Sequence, residues 1–169
     1  INLQKNFILG LKEDIKSKVV IRLGSSPIYS NGMLEYEKKQ WKIFKNRFSF
    51  EDRLSPIKKS IENANFIVVN SIVSSVFAEC LHYNIPCFIF QKFEKKMFRR
   101  DCYNDFLNLK KIGIIQNNPK NFSKFINNNF YNLDNWWNSY PVKKIIDKFN
   151  YNYNYKESDP LTNLAKKFN

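Results

Sequence analysis

Hydrophobic residues form two short uninterrupted runs in the middle of the chain, at residues 66–69 and 87–90. Runs of this length, rich in β-branched and aromatic side chains, are typical of strands buried on both faces of a parallel sheet. The residues between the runs carry apolar side chains at helical spacing, and Ser71, Ser74 and Ser75 lie where that helix begins. The pattern therefore predicts a parallel strand–helix–strand unit with a hydroxyl-rich turn.

The same pattern predicts alternating helices and strands on either side of this unit. Such alternation favours an α/β fold, and we expect an open parallel Rossmann-like sheet with helices on both faces and a C-terminal helical extension. We expect residues 1–149 to form one domain and residues 150–169 a tail that is weakly structured or crosses over to pack elsewhere. The predicted helices are 2–18, 33–46, 55–63, a segment within 92–111, and 117–149, and the other predicted strands are 19–23, 47–50 and 114–115.

Composition supports a folded chain and limits its chemistry. Hydrophobic residues make up 43% of the chain and aromatic residues 17%, which is enough for a sizeable core. No run of about 18 apolar residues is present, so the sequence predicts no membrane span. The cysteines, Cys80, Cys87 and Cys102, lack CxxC spacing and the chain has one histidine, so we expect buried free thiols in a reducing compartment and no metal site.

The net charge of +13 favours a negatively charged partner. Nucleic acid, an anionic membrane surface and a phosphorylated substrate all fit that sign. The lysines are scattered rather than clustered, and a general enrichment in lysine and asparagine explains the charge equally well. Charge alone therefore leaves the partner open.

The serine-rich turn is the strongest candidate for chemistry. Ligands of parallel sheets bind beyond the carboxyl ends of the strands, where the free N–H groups of a helix amino terminus attract anions. Ser71, Ser74 and Ser75 could each donate a hydroxyl hydrogen to a phosphate, whereas ordinary capping needs one serine and is worth ~1 kcal/mol. Glu79 lies one turn after Ser75 on the same face, where it could accept two ribose hydroxyls or only complement the helix dipole.

Two further groups lie after predicted strands. Gly24, Ser25 and Ser26 follow the first strand and are candidate loop contacts to a phosphate. Arg99, followed by Arg100, comes after the strand at 87–90. An arginine there can reach a diphosphate or an acidic sugar, unless the pair only forms a solvated helix face.

Three other features favour structural roles. Arg22 lies inside a predicted strand and is expected to pair within the fold. His82 has no identifiable catalytic partner and is expected to be a partly exposed structural residue. The Trp136-Trp137 pair could stack bases, yet no nucleic-acid-binding signature accompanies it, so packing of a terminal helix is the simpler interpretation.

Several short segments between residues 19 and 149 form an ordered set: Ile21–Leu23, Ser71–Glu79, Asn84–Phe90, Phe98-Arg99, Leu109–Ile114 and Trp136-Trp137. This set resembles a bacterial family of transferases tied to surface-carbohydrate synthesis, and residues 65–90 resemble the donor-binding half of GT-B-type glycosyltransferases. The chain differs from the family at Ser75-Val76, where a threonine pair is typical, and at Lys96-Met97, which replaces Trp-Glu. Ser26-Pro27 replaces a His-Pro-like pair of related capsule transferases.

The resemblance implies that the chain is the C-terminal half of a GT-B enzyme, which is consistent with a first residue other than methionine. It implies transfer of a sugar from a nucleotide-sugar to a glycan or lipid-linked acceptor of lipopolysaccharide or capsule, in the cytoplasm or at the inner face of the membrane. Ser71, Ser74, Ser75 and Arg99 would hold phosphate and Glu79 the ribose, with no metal required. The catalytic base would come from the upstream half, so this half alone would bind without turnover.

Three alternatives remain open at this point. One is a related transferase with a cytidine-diphosphate alcohol as donor, and another is a basic nucleic-acid-binding module without catalysis. The third is an inactive nucleotide-binding subunit. The sequence does not identify the donor base, the sugar, the acceptor, the stereochemistry or the oligomeric state.

Overall fold

The computed structural model describes residues 2–23, 36, 38–44, 47–51 and 55–154, apart from the side chain of residue 43. Short strands and helices alternate in this part of the chain, and residues 38–41 are helical and lead into a 3₁₀ turn. The helices are α1 (Asn2–Leu9), α2 (Glu13–Lys16), α3 (Ile57–Glu62), α4 (Ser75–His82), α5 (Tyr103–Lys111), α6 (Pro119–Asn129), α7 (Leu133–Trp137) and α8 (Tyr140–Tyr153). The strands are β1 (Val20–Arg22), β2 (Ser49–Glu51), β3 (Ile67–Val69), β4 (Cys87–Phe90) and β5 (Ile115–Gln116).

All the strand pairs in the described ranges are parallel. β1 pairs with β2, and β3, β4 and β5 form a three-stranded sheet in that order. In this sheet Val68 lies opposite Phe88, and Ile89 lies opposite Ile115. The α/β class and the parallel unit β3–α4–β4 are thereby confirmed, but the described strands form two short ladders rather than one open sheet.

Helices cover both faces of the three-stranded sheet. Phe88 and Phe90 of β4 join a core cluster that includes residues of α1 and α6, whereas Cys87 and Ile89 join a cluster with residues of α4, α5 and α8. All four side chains are at most 1% exposed. Burying a large apolar side chain contributes about 1.5–3 kcal/mol. Ile21 of β1 belongs to the first cluster, so the two ladders share one core.

The first helix is shorter than predicted because the chain passes close to α6 at Gly10. A Cβ atom at residue 10 would lie 2.5 Å from Ser123 Oγ, so a larger residue would collide with α6. Asn127 of α6 accepts from the Lys12 N–H at 2.8 Å and donates to the Gly10 carbonyl at 2.9 Å. These contacts divide the predicted helix 2–18 into α1 and α2.

The segment after β4 also differs from its prediction. The helical spacing of Phe98, Cys102, Phe106 and Leu109 predicts one helix that includes Phe98. The structure has a 3₁₀ turn at Lys95–Met97 and a helix that begins only at Tyr103. The Phe98 ring packs against those of Phe93 and Phe106, with centroid distances of 4.8 and 4.9 Å. This aromatic cluster holds the segment as an irregular loop. Near the other sheet, the helix predicted over 55–63 begins only at Ile57, and Pro56 is its N-cap residue.

The helices α4 and α5 both end at a residue with left-handed backbone, Asn84 (φ 57°) and Gly113 (φ 91°). The Ile85 N–H reaches back to the Cys80 carbonyl at 2.7 Å, and the residue after Gly113 makes the equivalent bond at 2.9 Å. These are Schellman endings, which turn each helix sharply into the next strand. The Asn84 side chain also accepts from Trp137 Nε1 at 3.1 Å, which fixes α7 to the end of α4.

The last helix packs back onto α4. Asn150 Nδ2 donates to the Leu81 carbonyl at 2.9 Å, and Asn154 Nδ2 donates to the Ala78 carbonyl at 3.2 Å. Residues 150–153 therefore belong to α8. The remainder of the predicted tail, 155–169, lies outside the described residues.

Candidate functional site

The turn between β3 and α4 lies at the carboxyl end of the three-stranded sheet. Ser71 is engaged inside this turn, because its Oγ accepts from the Val73 N–H and its carbonyl accepts from the Ser74 N–H, both at 3.3 Å. Ser74 is the N-cap residue of α4, with extended backbone and no capping bond from its side chain. Its carbonyl accepts from the Phe77 N–H at 3.1 Å. The cap of α4 is therefore Ser74 and not Ser71.

Several hydrogen-bond donors in the first turn of α4 have no acceptor among the described residues. Among the described residues, the hydroxyls of Ser74 and Ser75 make no hydrogen bond, and the N–H groups of Ser75 and Val76 have no backbone acceptor. Ser75 is exposed. Free N–H groups and the positive end of the helix dipole attract negative charge. This end of the helix can therefore bind an anion.

Gln91 connects this turn to the end of β4. Its side-chain Oε1 accepts from the Ile72 N–H at 2.9 Å, and its backbone N–H donates to the Gln116 carbonyl at 3.0 Å. The other end of its amide, Nε2, is buried and has no hydrogen-bond partner in the part of the chain that the structure describes. The sequence marks Gln91 only as the first polar residue after a buried strand, and nothing in that pattern indicates the contact with Ile72.

Glu79 lies on an exposed face of α4, one turn beyond Ser75. It lines a shallow groove of about 290 Å³ with Ala78, His82, Tyr83 and Asn154. His82 is exposed, and its ring meets that of Tyr83 edge-on at 5.0 Å. The Glu79 carboxylate is therefore accessible from this groove, whose lining residues do not include those of the serine turn.

Arg99 lies in the loop between β4 and α5, before the helix rather than within it. Its Nη2 donates to Asp101 Oδ2 at 2.9 Å, and its side chain is 86% exposed. Arg100 is also exposed and has no ion-pair partner among the described residues. The three serines lie in one turn, which Gln91 contacts through the Ile72 N–H, whereas Arg99 is paired with Asp101.

Arg22 pairs within the fold, as predicted. Its Nη1 lies 3.1 Å from Glu51 Oε2, and the Ser60 hydroxyl donates to Glu51 Oε1 at 2.6 Å. The Ser60 hydrogen bond, together with Arg22, lowers the pKa of Glu51 against the opposing effect of burial. This pair fastens β1 to β2.

The tryptophan pair packs inside the fold, as predicted. Trp137 is completely buried. Trp136 stacks on Phe88, with a centroid distance of 5.8 Å and an interplanar angle of 19°. Neither ring forms an open platform for bases.

The cysteines are free thiols, and Cys80 and Cys87 are buried while Cys102 is half-buried. The hydrogen bond with Cys80, together with burial, raises the pKa of Cys87 well above its ordinary value. The described residues contain no group of three or more side chains suited to hold a metal ion. None of the described helices has the length and apolar character to cross a membrane.

The remaining candidate contacts, Gly24, Ser25 and Ser26, lie outside the described residues. Their role stays a prediction, as do the ligand roles of Ser71, Ser74, Ser75, Glu79 and Arg99.

Comparison with known proteins identifies the family. No curated protein and no solved structure matches the chain. A family model described as "LIC12162 family transferase" matches residues 1–168, which is almost the whole chain of 169 residues. The chain therefore belongs to this family of transferases.

Proposed function

We propose that this chain binds the nucleotide-sugar donor of a glycosyltransferase that extends a cell-surface glycan. The observation that carries the proposal is the amino end of α4, which faces the carboxyl edge of a parallel sheet with unengaged donors on Ser74 and Ser75. Parallel α/β sheets bind their ligands at this edge. Membership in a transferase family supports the same conclusion.

The proposed chemistry is neutralisation of the leaving nucleoside diphosphate. The N–H groups and hydroxyls at the start of α4 bind the phosphates, with Ser71 at the border of the site, and Glu79 binds the ribose hydroxyls. Arg99 leaves Asp101 to reach the phosphate or the donor's sugar. Amide, hydroxyl and guanidinium donors can carry this charge, so we propose that transfer needs no metal.

In this proposal the whole enzyme has GT-B architecture, and its second half binds the acceptor and supplies the catalytic base. The acceptor is a glycan or a lipid-linked glycan, and the positive surface favours contact with an anionic membrane. A nucleotide-sugar donor places the reaction in the cytoplasm, at the inner face of that membrane. This half alone binds the donor without turnover.

Titration with nucleoside diphosphates tests the proposal. We expect weak, saturable binding, with one base preferred, because the base pocket selects among donors. Ser75→Ala removes one hydroxyl that donates to a charged phosphate oxygen and should weaken binding about tenfold. Glu79→Ala removes a charge-assisted pair of bonds and should weaken binding about tenfold or more. Isothermal calorimetry on the folded variants gives both affinities.

Two matched variants control for side effects. Ser49→Ala removes an exposed serine from β2, and Glu62→Ala removes an exposed carboxylate from α3, so neither should change the affinity. Equal binding by the wild type and the Ser75→Ala/Glu79→Ala double variant would overturn the site. Preference for cytidine-diphosphate alcohols over nucleotide-sugars would change the donor class. Binding to DNA or RNA that falls steeply with salt and ignores Glu79→Ala would replace the proposal with a nucleic-acid-binding function.

A further inference from the structure

Basic side chains are concentrated in the loop that follows β4. Lysines are scattered along the chain as a whole, but residues 92–100 contain five basic residues and one acidic residue. We call this segment the basic loop. Its basic residues, Lys92, Lys95, Lys96, Arg99 and Arg100, are all exposed.

The basic loop is folded back on itself rather than extended. The Met97 N–H donates to the Glu94 carbonyl at 3.0 Å, which closes the 3₁₀ turn. On either side of this turn, the rings of Phe93 and Phe98 pack together with centroids 4.8 Å apart, and both face Tyr103 of α5. The aromatic contacts therefore hold the exposed cations on one compact surface.

Neighbouring acidic groups neutralise only part of this charge. Glu94 pairs with Lys92 and, at 3.0 Å, with Lys96, and Asp101 pairs with Arg99. Lys95 and Arg100 have no ion-pair partner among the described residues, although Lys95 Nζ lies 5.6 Å from the centroid of the Tyr103 ring. Two exposed cations thus remain available to an external anion.

An exposed apolar side chain lies among these cations. Met97, at the end of the 3₁₀ turn, is 46% exposed. At the surface of an anionic bilayer, cations meet lipid phosphates while an adjacent apolar side chain enters the boundary with the acyl chains. Nucleic acid fits this surface less well, because Phe93 and Phe98 pack on each other rather than standing open for bases.

We propose that the basic loop docks on the anionic surface of a lipid bilayer with Met97 among the headgroups, a contact that rests on the membrane-linked acceptor of the proposed function. The basic loop follows β4, and the serine turn follows β3. Because these strands are parallel, both segments leave the sheet at the same edge. Docking there brings the edge that carries the proposed donor site towards the membrane that carries the acceptor.

Cosedimentation with vesicles of phosphatidylcholine and about one third phosphatidylglycerol tests the contact. Each cation near such a surface strengthens binding about fivefold, so Lys95→Gln/Arg100→Gln should weaken it at least tenfold, to roughly the level seen with phosphatidylcholine alone. Lys120→Gln/Lys124→Gln removes the same charge from exposed positions of α6 and should weaken binding less than about threefold. Equal losses in the two double variants would overturn the location.

Substitutions of Met97 test the apolar part of the contact. Met97→Ser should weaken vesicle binding about threefold or more, and Met97→Leu should restore it, because leucine also inserts an apolar side chain. Full binding by Met97→Ser would overturn insertion. Loss of binding to single-stranded RNA, with vesicle binding intact, in Lys95→Gln/Arg100→Gln would assign the basic loop to nucleic acid instead.

Nucleoside diphosphate titration separates this contact from the function on which it rests. A wild type that binds nucleoside diphosphates but binds anionic and neutral vesicles equally overturns the basic-loop contact alone. A wild type that binds anionic vesicles but no nucleoside diphosphate overturns the proposed donor site, while the contact itself stands.

A measurement on the wild type covers the case in which a loop variant does not fold. The chain has two methionines, so methyl labelling of methionine gives two signals, and Met97→Leu identifies that of Met97. We expect vesicles with spin-labelled headgroups to broaden the Met97 signal. A Met97 signal that stays sharp while the protein is bound would contradict the proposal.

Discussion

Asn84 has two structural roles, one through its backbone conformation and one through its side-chain hydrogen bonds. Its φ of 57° ends α4 in a conformation that asparagine tolerates better than most side chains. Its Oδ1 accepts from Trp137 Nε1 and from Lys143 Nζ, both at 3.1 Å, and its Nδ2 donates to Asn138 at 2.9 Å. One side chain therefore joins the end of α4 to α7 and α8.

Two substitutions of Asn84 separate the contribution of its backbone conformation from that of its side chain. Asn84→Gly keeps the backbone conformation but leaves the buried Trp137 N–H without an acceptor, which should cost about 1–3 kcal/mol. Asn84→Ala adds backbone strain of about 1 kcal/mol. Urea denaturation measures both losses.

The variant Trp137→Phe provides the control, because it removes the N–H group. In that background, Asn84→Gly should cost about 1 kcal/mol less than in the wild type. Equal costs in the two backgrounds would show that the hydrogen bond contributes nothing.

At the scale of elements, one carboxylate of α5 makes several polar contacts with α8, beside the packing of Phe106 on Phe149 and Tyr153. Asp105 accepts from Asn152 Nδ2 at 2.9 Å and from Tyr153 Oη at 3.1 Å, and Lys148 Nζ lies 3.2 Å away. Burial acts to raise the pKa of Asp105, but these bonds outweigh it and the pKa is lowered. Burial and the bond to Asp105 raise the pKa of Tyr153 to about 12.

The lowered pKa of Asp105 predicts a loss of stability in acid. A carboxylate with a lowered pKa stabilises the fold above its ordinary pKa of 3.8, and the contribution disappears as the pH falls through the lower value in the folded state. Asp105→Asn should therefore be about 1 kcal/mol less stable than the wild type at pH 7. The difference should shrink below pH 4.

Denaturation curves between pH 2 and pH 7 test this prediction. Asp134→Asn is a suitable control, since Asp134 is exposed and lies on α7 rather than at the contact between α5 and α8. A difference between Asp105→Asn and the wild type that stays constant across this range would rule out the proposed linkage.

At the scale of the whole molecule, the net charge of +13 opposes folding through self-repulsion. Salt screens repulsion between exposed charges, so the Tm should rise by a few degrees between 20 and 200 mM KCl. Differential scanning fluorimetry at pH 7 measures the shift. Replacing the exposed Lys120 and Lys124 by glutamate should weaken the dependence of the Tm on salt. A Tm that falls as salt is added would mean that attractive ion pairs outweigh the repulsion between like charges.

Features set by local pattern were predictable from the sequence, and those set by distant contacts were not. The apolar runs identified β3 and β4, and the serines marked the turn before α4. The division of the first helix depends on the contact between Gly10 and Ser123, which no local pattern reveals. In the site, the turn was found but Gln91 was missed, because the burial of its Nε2 becomes visible only in three dimensions.

The two ends of α4 differ in how firmly they are held. The carboxyl end is clamped by Asn84 and by the side chain of Asn150, whereas the amino end meets a turn with an exposed tip at Val73. The ligand proposed for the amino end has to order only the residues of this turn, since hydrogen bonds already hold the carboxyl end of the helix. The entropic penalty of docking is therefore small, and the helix supplies a preorganised electrostatic field rather than one assembled on contact.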